Sequence, residues 1–139
     1  MVPINYFAVI AGMFVMMALG FLWYGPLFGK QWLSLMGWDP EAMHQKKEGM
    51  AKLYAINALG ALLMSFVLAH SLVFASTYLN ISGVSAGLQA GFWNWLGFIM
   101  PIQLGSVLWD GKPLKLFFIN TSYYLLGLLL VGLLLAFWI

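Results

Sequence analysis

Residues 25–52 read GPLFGKQWLSLMGWDPEAMHQKKEGMAK and carry most of the charge of the chain: Lys30, Asp39, Glu41, Lys46, Lys47, Glu48 and Lys52, with His44 among them. The other charged side chains are Asp110, Lys112 and Lys115, in one short turn. Of 139 residues, 63% are hydrophobic and 7% charged, against about a quarter charged in a soluble domain. The long polar stretch is therefore a loop between lipid-embedded segments, and it divides the rest.

On its N-terminal side runs an apolar segment, residues 5–24. Gly25 and Pro26 are expected to end it, the glycine as a left-handed cap and the proline because it cannot continue a helix. No Lys or Arg precedes this run, which is too long for a signal-peptide core, so it reads as a retained first helix. Within the loop, Leu27 to Trp38 mixes Leu, Phe and Trp with Lys30 and Gln31, the pattern of a segment lying in the headgroup layer. Asp39-Pro40-Glu41 then predicts a helix start, with Asp39 as N-cap and Pro40 at the first helical position. That helix is expected to run in water through Lys52 and enter the membrane near Leu53.

Apolar runs at 53–76, 86–109 and 114–138 follow, each long enough at about 1.5 Å per residue to cross about 30 Å of hydrocarbon. Ser85 is expected to cap the third, and Pro101 to kink it and free the Gly97 carbonyl. Asp110-Gly111-Lys112 predicts a tight turn, and Pro113 opens the fourth run. The fold class is an all-α integral membrane protein, a four-transmembrane-helix bundle of two out-in-out hairpins in a single membrane domain. Four crossings put 25–52 and 110–115 on one side. All six lysines fall there, so the positive-inside rule places both loops in the cytoplasm and both termini outside.

The halves show a partial internal repeat. Lys52-Leu53-Tyr54-Ala55-Ile56-Asn57 resembles Lys115-Leu116-Phe117-Phe118-Ile119-Asn120. Trp23, Gly25, Pro26 and Leu27 find counterparts in Trp109, Gly111, Pro113 and Leu114. Two hairpins of equal orientation imply a parallel repeat about an axis along the membrane normal.

Several blocks together resemble a known family: Asn5-Tyr6, Trp23-Tyr24-Gly25-Pro26-Leu27-Phe28-Gly29-Lys30 with Trp32, Trp95-Leu96-Gly97-Phe98, and Leu108-Trp109-Asp110-Gly111-Lys112-Pro113 with the Leu116–Asn120 run. They are similar to the small bacterial membrane proteins grouped as domain of unknown function 1761. The resemblance covers nearly the whole chain and implies four helices in a bacterial cell (inner) membrane. It implies no activity.

Polar side chains in hydrocarbon are costly unless paired. Asn57 and Asn120 fall about one turn inside the cytoplasmic boundary, and Gln103 and Ser106 reach a similar depth. Such residues most often clasp neighbouring helices; the alternative is a polar pocket facing the cytoplasm. His70 is the isolated ionisable group inside a run. It shares a face with Phe66, Phe74 and Thr77, lacks the second member of a proton relay, and is expected to bond a neighbouring helix or to reach the outer interface. With His44 on the other side and no cysteine, no metal site or cofactor is expected. Gly83, Gly87 and Gly91 form a doubled GxxxG whose face continues through Asn94, Pro101 and Gly105, a surface for close helix approach.

Function is read in this order. First comes a non-catalytic protein acting by packing, as a homo-oligomer or an accessory subunit of another membrane protein, with lipid around it and no nucleic acid partner. The alternative is a small transporter or channel for a neutral solute. Proton-coupled cation export on the known four-helix pattern needs an embedded carboxylate, and the runs contain none. An intramembrane enzyme ranks last, because a lone His supplies no catalytic set.

Overall fold

The structure, a computed structural model, describes residues 1–39, 41 and 49–138. No strand occurs among the described residues. Helix α1 spans Tyr6–Leu22, and a π turn, π1, continues it over Trp23–Leu27. The short α2 covers Gly29–Met36 and α3 covers Met50–Leu79. A composite helix follows, made of α4 (Gly83–Asn94), a second π turn, π2 (Trp95–Ile99), and α5 (Met100–Leu108). The last helix, α6, is Leu114–Trp138. Three helical runs are long and apolar enough to cross a membrane: Tyr6–Leu27, Met50–Leu79 and Leu114–Trp138.

The turns obey local chemistry. Asn5 caps α1, its Oδ1 accepting from the N–H groups of Phe7 and Ala8 at 3.0 and 3.3 Å, which satisfies two orphan donors of the first turn. Gly37 ends α2 with φ 73°. There the Trp38 N–H donates to the Leu33 carbonyl and the Gly37 N–H to that of Ser34, the paired bonds of a Schellman ending. Asn80, at φ 53°, ends α3.

Four local expectations change. Gly25 and Pro26 do not terminate the first helix; the wider π turn absorbs them, and the chain breaks at Phe28 instead (φ −122°, ψ 7°). The third run begins at Gly83 after Ser82, not at Ser85, whose hydroxyl already accepts from Gln89 within the helix at 3.1 Å. Pro101, expected inside one continuous α-helical run, sits in the first turn of α5, directly after π2, so its missing N–H falls where the hydrogen-bond register changes. Finally, α3 starts afresh at Gly49, φ 86°, rather than continuing a helix from Asp39. The Glu41 N–H does donate to Asp39 Oδ1 at 3.0 Å, but Pro40 and residues 42–48 of that expected helix lie outside the described residues.

Runs consecutive in sequence are antiparallel, as are α1 and α6. Asn5 Nδ2 donates to the Trp138 carbonyl at 2.8 Å and Trp23 Nε1 to that of Ile119 at 2.9 Å, which registers α1 against α6. Phe21 and Tyr54 meet at a tilt, ring centroids 5.3 Å apart, where α1 ends and α3 begins. The ends carrying Lys30, Lys52 and Lys115 therefore share one end of the bundle. α6 is the hub, contacting α1, α2, α3, π2 and both parts of the composite helix.

The interior mixes small residues, Ala8, Ala61, Ser65, Ala69, Ala86, Gly87, Ala90 and Gly91, with larger ones such as Met16, Leu68, Leu128 and Leu135, while many large apolar groups point outward, with Phe7 76% and Phe14 63% exposed. Where lipid solvates the outside, helices gain little by hiding large side chains and associate through close van der Waals contact. Small residues supply it. A Cβ on Gly87 would lie 2.5 Å from the Gly132 carbonyl oxygen, and one on Gly91 2.6 Å from that of Leu128.

Candidate functional site

At the lysine-bearing end the helices separate around a cleft of about 600 Å³. Met17, Gly20 and Phe21 of α1 and Tyr24 and Gly25 of π1 form one wall. Tyr54 and Asn57 of α3, Gln103 of α5, and Asn120, Tyr123 and Tyr124 of α6 form the others. Trp32 and Met36 of α2 complete the lining. No lining residue is charged.

Local structure explains the arrangement. The break at Phe28 and the Schellman ending at Gly37 fold α2 back, so the Trp32 ring meets the edge of Tyr24 at 5.4 Å and Trp38 packs on Trp32 at 5.2 Å. Tyr24 also meets Tyr123 edge-to-face at 5.3 Å. Two hydroxyls fix these rings. Tyr24 Oη donates to Asn120 Oδ1 at 2.7 Å, and Tyr123 Oη donates to the Met16 carbonyl at 3.0 Å, both to partners about a hundred residues away in sequence. Gly20 makes room for Tyr123, since a Cβ there would approach its hydroxyl to 3.2 Å.

Three of the four polar residues expected at a pocket line this cleft: Asn57, Gln103 and Asn120. Ser106 does not line it, because its hydroxyl turns back to the Gln103 carbonyl at 2.7 Å. The two asparagines share the cleft but form no hydrogen bond with each other. Asn57 is exposed, and its Nδ2 contacts Met17 Sδ at 3.3 Å, a weak acceptor. Asn120 is engaged by Tyr24 through its oxygen, which leaves its Nδ2 donors toward the cavity. Lys52–Asn57 and Lys115–Asn120, the blocks read as a repeat, each lie near the start of a long helix, α3 and α6, whereas Gly25 lies in a π turn and Gly111 in a left-handed turn at φ 68°.

The glycine face divides. Gly87 and Gly91 are covered by α6 of the same chain, and Gly132 returns the contact on the Gly87 carbonyl. Asn94 donates to the Ala90 carbonyl at 2.8 Å and accepts from Ser71 at 3.5 Å, bridging α4 to α3. Gly83 begins the helix and meets nothing, Pro101 is exposed, and Gly105 approaches only Trp109. The reason is π2. One extra residue in a turn rotates the following sequence by about 100°. That takes Pro101 and Gly105 off the glycine face and brings Gln103 toward the cleft.

His70 bonds its own helix rather than a neighbour. Its Nδ1 lies 2.9 Å from the Phe66 carbonyl, and its ring packs on Phe66 at 4.4 Å. A carbonyl only accepts, so Nδ1 carries the proton in this contact. No cluster of three metal-ligating side chains occurs among the described residues.

Sequence reasoning missed Tyr24, Trp32, Tyr123 and Tyr124 as cleft residues and Gly132 as the partner of Gly87. A usable signal was Tyr123-Tyr124 at three and four residues beyond Asn120, which puts both rings on the asparagine's side of α6. A family model described as "Protein of unknown function (DUF1761)" matches residues 7–136. The chain belongs to this family. No curated protein and no solved structure matches it. The DUF1761 match includes every element that lines the cleft.

Proposed function

We propose that this DUF1761 protein crosses the cell membrane four times and binds a small uncharged solute in the cleft, from the cytoplasmic side. The observation that carries the reading is a 600 Å³ cavity in which three carboxamides converge and no charge lines the wall. That volume falls in the range of about 300–1,000 Å³ typical of small-molecule sites. The fourth crossing is the composite helix: twelve, five and nine residues follow one another without a break. It is more polar than the other three because it carries Gln89, Asn94 and Gln103. With four crossings the termini share the outer face and all the lysines the inner one, in keeping with the positive-inside rule.

The cleft lies at the lysine-bearing end, while Gly87, Gly91 and Gly132 bring α4 and α6 into backbone contact in the opposite half. The residues in the cleft bind rather than react, offering amides, phenols and thioethers. A bacterial inner membrane as the setting rests on the family resemblance. Self-association or service as an accessory subunit is the second reading, and outward side chains such as Trp93, Phe98 and Ile102 would carry it. Its glycine surface is already occupied within the chain.

The native chain has no cysteine, so single replacements report cleanly. Met36→Cys and Gly49→Cys should react with a membrane-impermeant maleimide only in inside-out vesicles, and Ser82→Cys only in intact cells. A Met36→Cys protein that is folded yet unreactive, or that labels from the same side as Ser82→Cys, refutes the cytoplasm-facing cleft.

A further inference from the structure

The chemistry of the walls narrows the solute, and this step rests on the reading of the cleft as a binding site. Six of the lining side chains are aromatic: Phe21, Tyr24, Trp32, Tyr54, Tyr123 and Tyr124. They come from α1, π1, α2, α3 and α6, with Phe21 and Tyr54 meeting at a tilt, 5.3 Å apart, across α1 and α3 and Tyr123 and Tyr124 at 4.9 Å on α6. Aromatic walls favour flat ligands, because offset stacking and edge contacts add to the area buried. Rings that served only as a membrane-interface belt would face lipid and headgroups; Tyr24, Trp32, Tyr123 and Tyr124 are instead partly or fully buried around the cavity, while Phe21 and Tyr54, also in the lining, are 54% and 43% exposed.

Charge excludes two classes. A cation held by aromatic faces would find no carboxylate on the wall to neutralise it. An anion buried among amides and phenols lacks a counter-charge and stays poorly solvated. Hydrocarbon is excluded as well, since it would leave three carboxamides without partners.

The carboxamides define the remaining feature. Gln103 forms no side-chain hydrogen bond among the described residues, so it presents an acceptor and two donors. Asn120 keeps its donors because Tyr24 uses only its oxygen, and Asn57 keeps its oxygen because its amide nitrogen meets Met17. A planar carboxamide pairs best with a group that sets a donor beside an acceptor in one plane, as Asn and Gln do with an adenine edge. We infer that the cleft takes a neutral, planar heteroaromatic ring whose edge carries a lactam, imide or aminopyrimidine pattern. The ring stacks among Tyr24, Trp32 and Tyr123 and turns its edge to Gln103 and Asn120.

Riboflavin, flat and uncharged with an imide edge, is the probe. In the Met36→Cys protein it should slow maleimide labelling, while tetraphenylphosphonium and glucose should not. Gln103→Leu in the same background should fold normally, since no internal bond is lost, and should weaken riboflavin protection at least about tenfold. Trp32→Leu should weaken it independently through lost stacking. Protection by tetraphenylphosphonium or glucose in place of riboflavin overturns the ring class while leaving a binding cleft. Labelling that no compound slows overturns it too, as does riboflavin protection that survives both Gln103→Leu and Trp32→Leu. Absence of labelling in the unliganded protein is the separate failure of the cleft itself.

Discussion

Near the chain termini, α4 and α6 meet through Gly87, Gly91 and Gly132, so closely that carbonyl oxygens stand where side chains would begin. Near the lysines, Tyr24, Trp32, Tyr123 and Tyr124 occupy the space between the same helices and their neighbours, and a cavity remains. The α4–α6 pair is thus zipped near the termini, and the helices are propped apart near the lysines. The contrast follows from side-chain size. In lipid, where apolar burial drives association weakly, the closest approach available at each level sets the gap. Glycine gives contact, and tyrosine gives a wall.

The largest effect should come from breaking the closed end. Gly87→Leu places a side chain on the Gly132 carbonyl, which cannot retreat without moving α6. A loss of about 3 kcal/mol is expected, the upper part of the usual overpacking range, read as a lowered melting temperature in mild detergent. Melting that matches the parent protein would show that the ends are not packed differently.

At the open end the strongest single dependence should be Asn120. Asn120→Leu strands the Tyr24 hydroxyl, at about 1–3 kcal/mol. Tyr24→Phe should cost less, and the double variant less than the sum of the two, with a coupling near 0.6 kcal/mol as for other hydrogen bonds between membrane helices. Strict additivity would mean that this bond does not hold the wall.

Ser65 sharpens the contrast from the middle of the bundle. It is 1% exposed, its Oγ has no partner, and it abuts Gly12. Ser65→Ala should be neutral or stabilise by up to about 1 kcal/mol, since a buried unpaired hydroxyl is removed, whereas Ser65→Val should destabilise by crowding Gly12. The smallest effect should be that of Gln103→Leu on melting, within about 0.5 kcal/mol, because the residue serves the cavity and not the packing.

The closed end and the helical runs were legible because both depend on composition along the chain: apolar length marks a run, and Gly-xxx-Gly marks a close approach. Asn57, Gln103 and Asn120 were legible by counting depth from the lysines. The π turns were not, because Trp23–Leu27 and Trp95–Ile99 differ from ordinary helix only in how the chain accommodates tertiary neighbours. Their indoles show this: Trp23 and Trp95 both donate to carbonyls of α6, at Ile119 and Thr121, each at 2.9 Å. Missing π2 misplaced Pro101 and Gly105. Tyr24, Trp32 and Tyr123 read as interface aromatics because a belt and a cavity wall share one composition, and only the fold distinguishes them.

The position of α6 has a consequence in time. The bonds from Trp23, Tyr24 and Asn5 that tie the first run to α6 all reach residues 96 to 133 positions later. At synthesis rates of about 5–20 residues per second, roughly 5–25 s pass between the emergence of α1 and that of its partner. During that interval the Trp23 indole and the Tyr24 hydroxyl must be satisfied by water, headgroups or the insertion machinery. A ribosome that stalls before Leu114 therefore releases three helices without their common neighbour, a substrate for membrane quality control rather than a smaller version of the protein.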